Sequence, residues 1–253
     1  MSVEPRKQPS RVLAAFDVVP PSDGFWRLAA RLAEGLRSEL QGLFVEDELL
    51  LRVCGFPSAV EYGPWSSLGR TVTLESMEES LRKAANAARR SMIRAAEQSR
   101  LSWSFDTVRG SLYRAALRAF EEADLLLTAP PRFSARACPT DAGITAVVYD
   151  GTASAARAVD AAVRMNPRSG DCVAVLLLAS QGVATATLRQ LFGDLSQRRS
   201  VISQQIVTPE DCSAIVNRLH AGLLLIGKDC PFAAERDLPA LAARLSCPLG
   251  LVR

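Results

Sequence analysis

Histidine is nearly absent from the chain: His220 is the single one among 253 residues. The six cysteines, Cys54, Cys138, Cys172, Cys212, Cys230 and Cys247, form no C-x2-C pair. Together these scarcities exclude a zinc framework, whose ligands come as closely spaced cysteines and histidines. A chain of this length builds a core without staples, so the dispersed cysteines read as reduced, buried small hydrophobes. Charge of one sign is lacking too. Thirty basic residues face 27 acidic ones, split 19 to 18 in residues 1–142 and 11 to 9 in residues 143–253. Neither half is a basic module, and no nucleic-acid partner is expected. Apolar runs such as Leu223 to Ile226 fall far below the roughly 18–20 residues that cross a bilayer, so no membrane partner is expected either. The polar start, Met1 to Arg11, lacks the apolar core of a secretory signal and predicts a cytoplasmic location.

What is present is an alternation of short apolar runs with helical patterns. Arg11 to Asp17 (RVLAAFD) reads as a strand ending in an acid. Phe25 to Leu40 follows as a helix, with apolar residues every three or four positions, and Gln41 to Val45 as the second strand. Residues 49–73 are irregular, rich in glycine, proline and exposed-looking aromatics, and predict a flap or short helix. Cys54, within it, is the cysteine expected to be exposed. Leu74 to Arg100 reads as a long helix with acids toward its start and bases toward its end, which suits the helix dipole. Leu101 to Val108 is a third strand, Arg109-Gly110-Ser111 a turn, Leu112 to Ala123 a helix and Asp124 to Ala129 a fourth strand.

Residues 130–143, rich in proline, serine, arginine and glycine, mark a domain boundary. The pattern then restarts. Ile144 to Asp150 (ITAVVYD) again ends in an acid and precedes the helix Ala153 to Met165. Strands at 172–178, 201–207, 222–227 and 247–252 alternate with helices at 184–195, 209–219 and 238–245. Asp17 and Asp150, and the paired L-L-L strands, make the chain an internal duplication: domain one at 1–142, domain two at 143–253.

The segments RVLAAFD, ELQGLFVEDELLL, SWSFDTVRGSL and EADLLLTA, with YDGTASAARAVDAA, HAGLLLIG and SCPLGLVR in the second half, resemble the universal stress protein family, in particular its tandem-domain bacterial members. The resemblance implies an α/β fold of two Rossmann-like units, related to the adenine nucleotide alpha hydrolases, each a parallel sheet in the order 3-2-1-4-5. The first unit lacks its own strand five, unless Ile144 to Tyr149 supplies it. Packing of the halves against each other, as an internal pseudo-dimer, would cover the open edge. Family members also pair through the terminal strand, so a homodimer through 247–252 is open as well.

In the family's ATP-binding members the nucleotide lies at the carboxyl ends of strands one and four, with an acid facing the adenosine and a glycine-rich loop around the phosphates. Carried onto this chain, that pattern selects Asp17, Asp150, Gly227 and Lys228, with Arg109 as an added cation. The phosphate loops themselves are missing. Pro130 and Pro131 follow the first fourth strand, and no glycine lies between Lys228 and Leu249. Proline donates no N–H and side chains block backbone approach, so neither loop is the usual anion nest. No cofactor is therefore expected. Glu46-Asp47-Glu48 read as acids of a first helical turn rather than a metal site, and His220 as a helix-end residue.

The leading expectation is a non-enzymatic regulatory or stress-response protein of this family that does not bind ATP in the usual way. A second is a nucleotide binder or weak nucleotide hydrolase with an irregular site at Asp17, Arg109 and Lys228. A third is a scaffold that offers the 74–100 helix and the 49–73 flap to a protein partner the sequence does not name.

Overall fold

The computed structural model describes residues 10–56, 58–62, 69–129, 144–165, 172–178 and 200–253. The expected helix at 184–195, the 130–143 boundary with Pro130 and Pro131, and Cys138 lie outside them, as does part of the flap.

Strands β1 (Arg11–Phe16) and β2 (Glu39–Asp47) flank helix α1 (Asp23–Leu36). The helix ends four residues before the expected Leu40. Arg37 turns left-handed (φ 54°) and its N–H returns to Ala33 and Glu34, which frees Glu39 and Leu40 to pair with Arg11 and Val12. The flap holds α2 (Glu48–Cys54) and a small hairpin, β3 (Val60–Tyr62) with β4 (Gly69–Thr71). Cys54 is buried at 6% exposure, contrary to expectation, because it lies on the inward face of α2 with Leu51. Helix α3 (Leu74–Gln98) opens on a reciprocal Thr73–Ser76 capping box. Arg109 and Gly110 extend β5 (Trp103–Gly110) rather than forming a turn, since they pair with Glu46 and Asp47. Helix α4 (Leu112–Phe120) and β6 (Leu125–Thr128) complete the first half.

The second half contributes β7 (Ile144–Tyr149), α5 (Ala153–Met165), β8 (Cys172–Leu178), β9 (Ser200–Ile206), α6 (Pro209–Arg218), β10 (Leu223–Gly227), α7 (Leu238–Arg244) and β11 (Leu249–Val252).

Nine strands form one sheet in the order β5-β2-β1-β6-β11-β10-β7-β8-β9. All neighbours are parallel except β6 and β11, which run antiparallel with Leu126 opposite Leu251. The terminal strand is thus interior: β11 pairs with β10 on one side and β6 on the other. That corrects the expectation of an open edge at 247–252. Ile144 to Tyr149 lies between β10 and β8 and does not join the first half's strands.

Alternate residues of each strand feed two cores. Val12, Phe16, Leu125, Val147 and Leu225 pack under α1, α3 and α5, whereas Leu13, Leu126, Val148, Leu224 and Leu251 pack under α4, α6 and α7. Helices on both faces explain why the strands are apolar along their length.

Candidate ligand crevices at opposite ends of the sheet

Open parallel sheets bind ligands beyond the carboxyl ends of their strands. Because β6 and β11 are antiparallel, β1 and β7 also point in opposite directions. Asp17 and Arg109 therefore lie at one end of the sheet, and Asp150, Gly227 and Lys228 at the other. The two ends are separated by the six residues of β1, about 20 Å at ~3.3 Å per residue. The proposed grouping of Asp17, Arg109 and Lys228 is not brought together, because the backward-running terminal strand carries Lys228 to the end where β1 begins. Lys228 N–H donates to Val252 O at 2.8 Å, and Arg253 N–H to Asp124 O at 2.9 Å.

At the first end, Asp17 is half-buried and close to Tyr113 in the first turn of α4. Burial, and then the charge of Asp17, push the Tyr113 phenol up to about 12. Next to Asp17 the ring of Phe16 meets Trp26 edge-on at 5.6 Å and Phe44 at 5.3 Å, so aromatic carbon closes this side. Arg109 is spanned by two carboxylates, Glu46 and Glu78, each at 3.2 Å. The hydrogen bonds it donates to Glu46 and then to Glu78 raise its pKa above the usual guanidinium value. An anion approaching Arg109 would compete with both acids. The remaining acids of the 46–48 run are also engaged: Asp47 accepts from Leu49 N–H at 2.8 Å as the cap of α2, and Glu48 pairs with Arg52 one helical turn on.

At the second end the sequence Asp150-Gly151-Thr152-Ala153-Ser154 makes a tight turn into α5. Gly151 takes φ 85°, a region that favours glycine. Asp150 Oδ1 accepts from Thr152 N–H (2.9 Å) and Thr152 Oγ1 (2.7 Å). Thr152 Oγ1 in turn accepts from Ala155 N–H at 3.2 Å and so caps the helix. Asp150 itself is 5% exposed, and its Oδ2 is buried with no hydrogen-bond partner.

Gly227, at the end of β10, allows α5 to sit directly on the strand. A Cβ there would lie 2.5 Å from Ser154 Oγ and 2.7 Å from Ala155 N. The three N–H groups after Gly227 are all committed: Lys228 to Val252 O, Asp229 to Ser154 Oγ at 3.3 Å, and Cys230 to Gly227 O at 3.0 Å. A phosphate nest needs such amides pointing outward. Here they tie the loop to the seam strand and to α5.

The structure thus adds Tyr113, Thr152 and Ser154 to the residues singled out from sequence, and it moves Glu46 from the expected first helical turn to the end of β2, beside Arg109. D-G-T-x-S is a readable turn-and-cap signal. The other two rest on packing and parallel register, which no local pattern carries. His220, left-handed at φ 52°, ends α6 with its N–H on Asn217 O at 3.1 Å. Among the described residues no three acids, cysteines or histidines cluster as a metal site, and no helix is long and apolar enough to cross a membrane.

The sequence matches no family model and no curated protein. Among solved structures, the chain is similar to a universal stress protein from Archaeoglobus fulgidus. The TM-score is 0.52 over 97% of this chain and 96% of that one, at 11% identity. The fold is therefore an α/β, Rossmann-type fold of the universal stress protein kind: a mostly parallel nine-stranded sheet with seven helices among the described residues.

Proposed function

We propose that this chain is a tandem universal stress-type protein, with units at 1–142 and 143–253, that acts as a non-enzymatic regulator and does not hold ATP by its phosphates. The observation that carries the reading is the internal use of all three amides at 228–230. A triphosphate placed there would meet the buried acid Asp150, with Lys228 and Arg253 as the cations lining the hollow beside the loop. Charge-assisted contacts contribute roughly 1.5–3 kcal/mol each, short of the about 8 kcal/mol of micromolar affinity. The interior position of β11 supports an internal pseudo-dimer, since this strand gives β6 the neighbour that a second copy would otherwise supply. The free thiols at Cys54, Cys172, Cys212, Cys230 and Cys247 suit a reducing, cytoplasmic setting.

Calorimetry with ATP and magnesium tests the reading. The expected result is no binding tighter than about millimolar, near 4 kcal/mol. Micromolar binding abolished by Asp17→Ala or Asp150→Ala would overturn it in favour of a nucleotide binder.

One observation favours a second reading. Asp150 Oδ2 has no hydrogen-bond partner and is covered from solvent, so a neutral ligand such as a nucleoside without phosphates would donate a hydroxyl hydrogen bond to it only once the 151–152 turn opens. Saturable adenosine binding, weakened by Asp150→Ala while ATP stays weak, would select it.

A further inference from the structure

Where the two halves join, the helices on the α4 side leave a trough along the seam. Helix α4 forms one wall and the segment after β10 the other. Its lining is apolar at Leu117, Phe120, Ala233 and Leu251, and its volume is about 380 Å³. A second hollow shares Leu117 and Glu121 and continues past Arg118 and Arg114 to Glu235. Four cations and two carboxylates line the combined trough: Arg114, Arg118, Lys228 and Arg253 against Glu121 and Glu235. Arg114 is paired with Glu235 at 3.4 Å. Arg118, Lys228 and Arg253 form no side-chain ion pair among the described residues.

Two of these cations are positioned by the seam itself. The Arg253 guanidinium donates to the carbonyl of Glu121, the residue that ends α4. The backbone of Lys228 is fixed on Val252 O. An apolar floor favours a hydrocarbon body, and a rim with surplus positive charge favours an anionic head. The volume lies within the range of small-molecule sites, about 300–1,000 Å³.

We infer that the seam trough binds a small organic carboxylate, its head held by Lys228 and Arg253 and its hydrocarbon body lying on Leu117, Phe120 and Leu251. Each half supplies part of the site, so neither half contains it alone. It lies on the sheet face opposite α5 and uses neither Asp17 nor Asp150, and it shares only Lys228 with the candidate nucleotide residues.

The test is a titration of the full chain with octanoate, followed by amide chemical shifts, with octylammonium and octanol as controls. Saturable shifts centred on Leu117, Phe120, Lys228 and Leu251 are expected with octanoate, and none of comparable affinity with octylammonium. Lys228→Glu, at an exposed position, should weaken octanoate at least about tenfold, as loss and reversal of a charge-assisted contact implies. Lys83→Glu, on the outer face of α3, should leave it unchanged. Absence of saturable shifts, shifts centred elsewhere, equal binding of octanoate and octylammonium, or indifference to Lys228→Glu would each overturn the inference.

Discussion

The two halves each contain a strand that ends in an acid, yet the acids have opposite surroundings. Asp17 is followed by five residues before α1 begins and stays half-buried beside Tyr113. Asp150 is followed by two residues before α5, is buried, and spends one carboxylate oxygen on the turn that starts the helix. The position after each fourth strand differs in the same sense. Aligning the L-L-L runs places Ala129 where the second half has Gly227. The first half tolerates a Cβ there; in the second, α5 is pressed onto the strand. Helix placement therefore decides how far the acid at the end of a strand is covered.

That contrast is broken most forcefully at Gly227. Gly227→Ala puts a methyl within 3 Å of backbone atoms of α5, and overpacking of this kind should cost about 3 kcal/mol, the upper end of its usual range. The reciprocal Ala129→Gly should cost under about 1 kcal/mol, mostly backbone entropy. Urea unfolding of both variants checks the pair; equal losses would dissolve the distinction.

The caps of the two helices give the next largest difference. Thr152→Ala removes the α5 cap and a donor to buried Asp150, and should lose about 2 kcal/mol. Ser22→Ala removes the exposed cap of α1, a 3.3 Å bond to Phe25 N–H, and should lose about 0.5–1 kcal/mol. If Ser22→Ala proved the costlier, burial would not be what sets the two ends apart.

Alkaline pH adds a third contrast. A group whose pKa is raised by folding contributes stability below its unfolded pKa and loses it as pH climbs through the folded value. Burial raises Cys230 from 9.0 to about 11 and Cys212 from 9.0 to about 12, while Tyr113 rises from 10.0 to about 12. Stability should hold below pH 9 and fall from there toward 12. Tyr113→Phe should flatten the part above pH 10 and change little at pH 7. A Tyr113→Phe curve that coincides with the parent's up to pH 12 would rule out the burial of this phenol beside Asp17.

Smallest of all should be the Arg109 network. Glu78→Gln removes one of two carboxylates from an exposed guanidinium, and water and salt screen pairs of this kind, so the urea midpoint should barely move. A midpoint shift as large as that of Thr152→Ala would mean that the network anchors α3 to the sheet rather than decorating it.

Much of the fold was legible in the sequence because the signals are local. Apolar runs placed β1, β7, β8 and β10, and spacing of apolar residues placed α3 and α5 within a residue or two. Misplaced boundaries have physical causes that spacing does not encode. Arg37 adopts a left-handed turn without being glycine, and Arg109 and Gly110 are held in β5 by the partner strand. Cys54 is buried against expectation because the loop composition around it says nothing about which face of a short helix turns inward. Of the candidate residues, Asp150 and Gly227 come together at α5, while Arg109 is taken up by Glu46 and Glu78.

By itself the sequence determined the alternation of strands and helices, the acids that close the two first strands, and the lack of glycine after β10. These depend on side-chain chemistry and on neighbours a few residues away. Only the tertiary structure decided the direction in which the halves meet. One antiparallel pairing, β6 with β11, turns the second half around, sends Asp17 and Asp150 to opposite ends, and creates the trough beside Lys228. Strand pairing between residues more than a hundred positions apart depends on which apolar faces and backbone edges remain to be covered once every element has packed, and no local window contains that information.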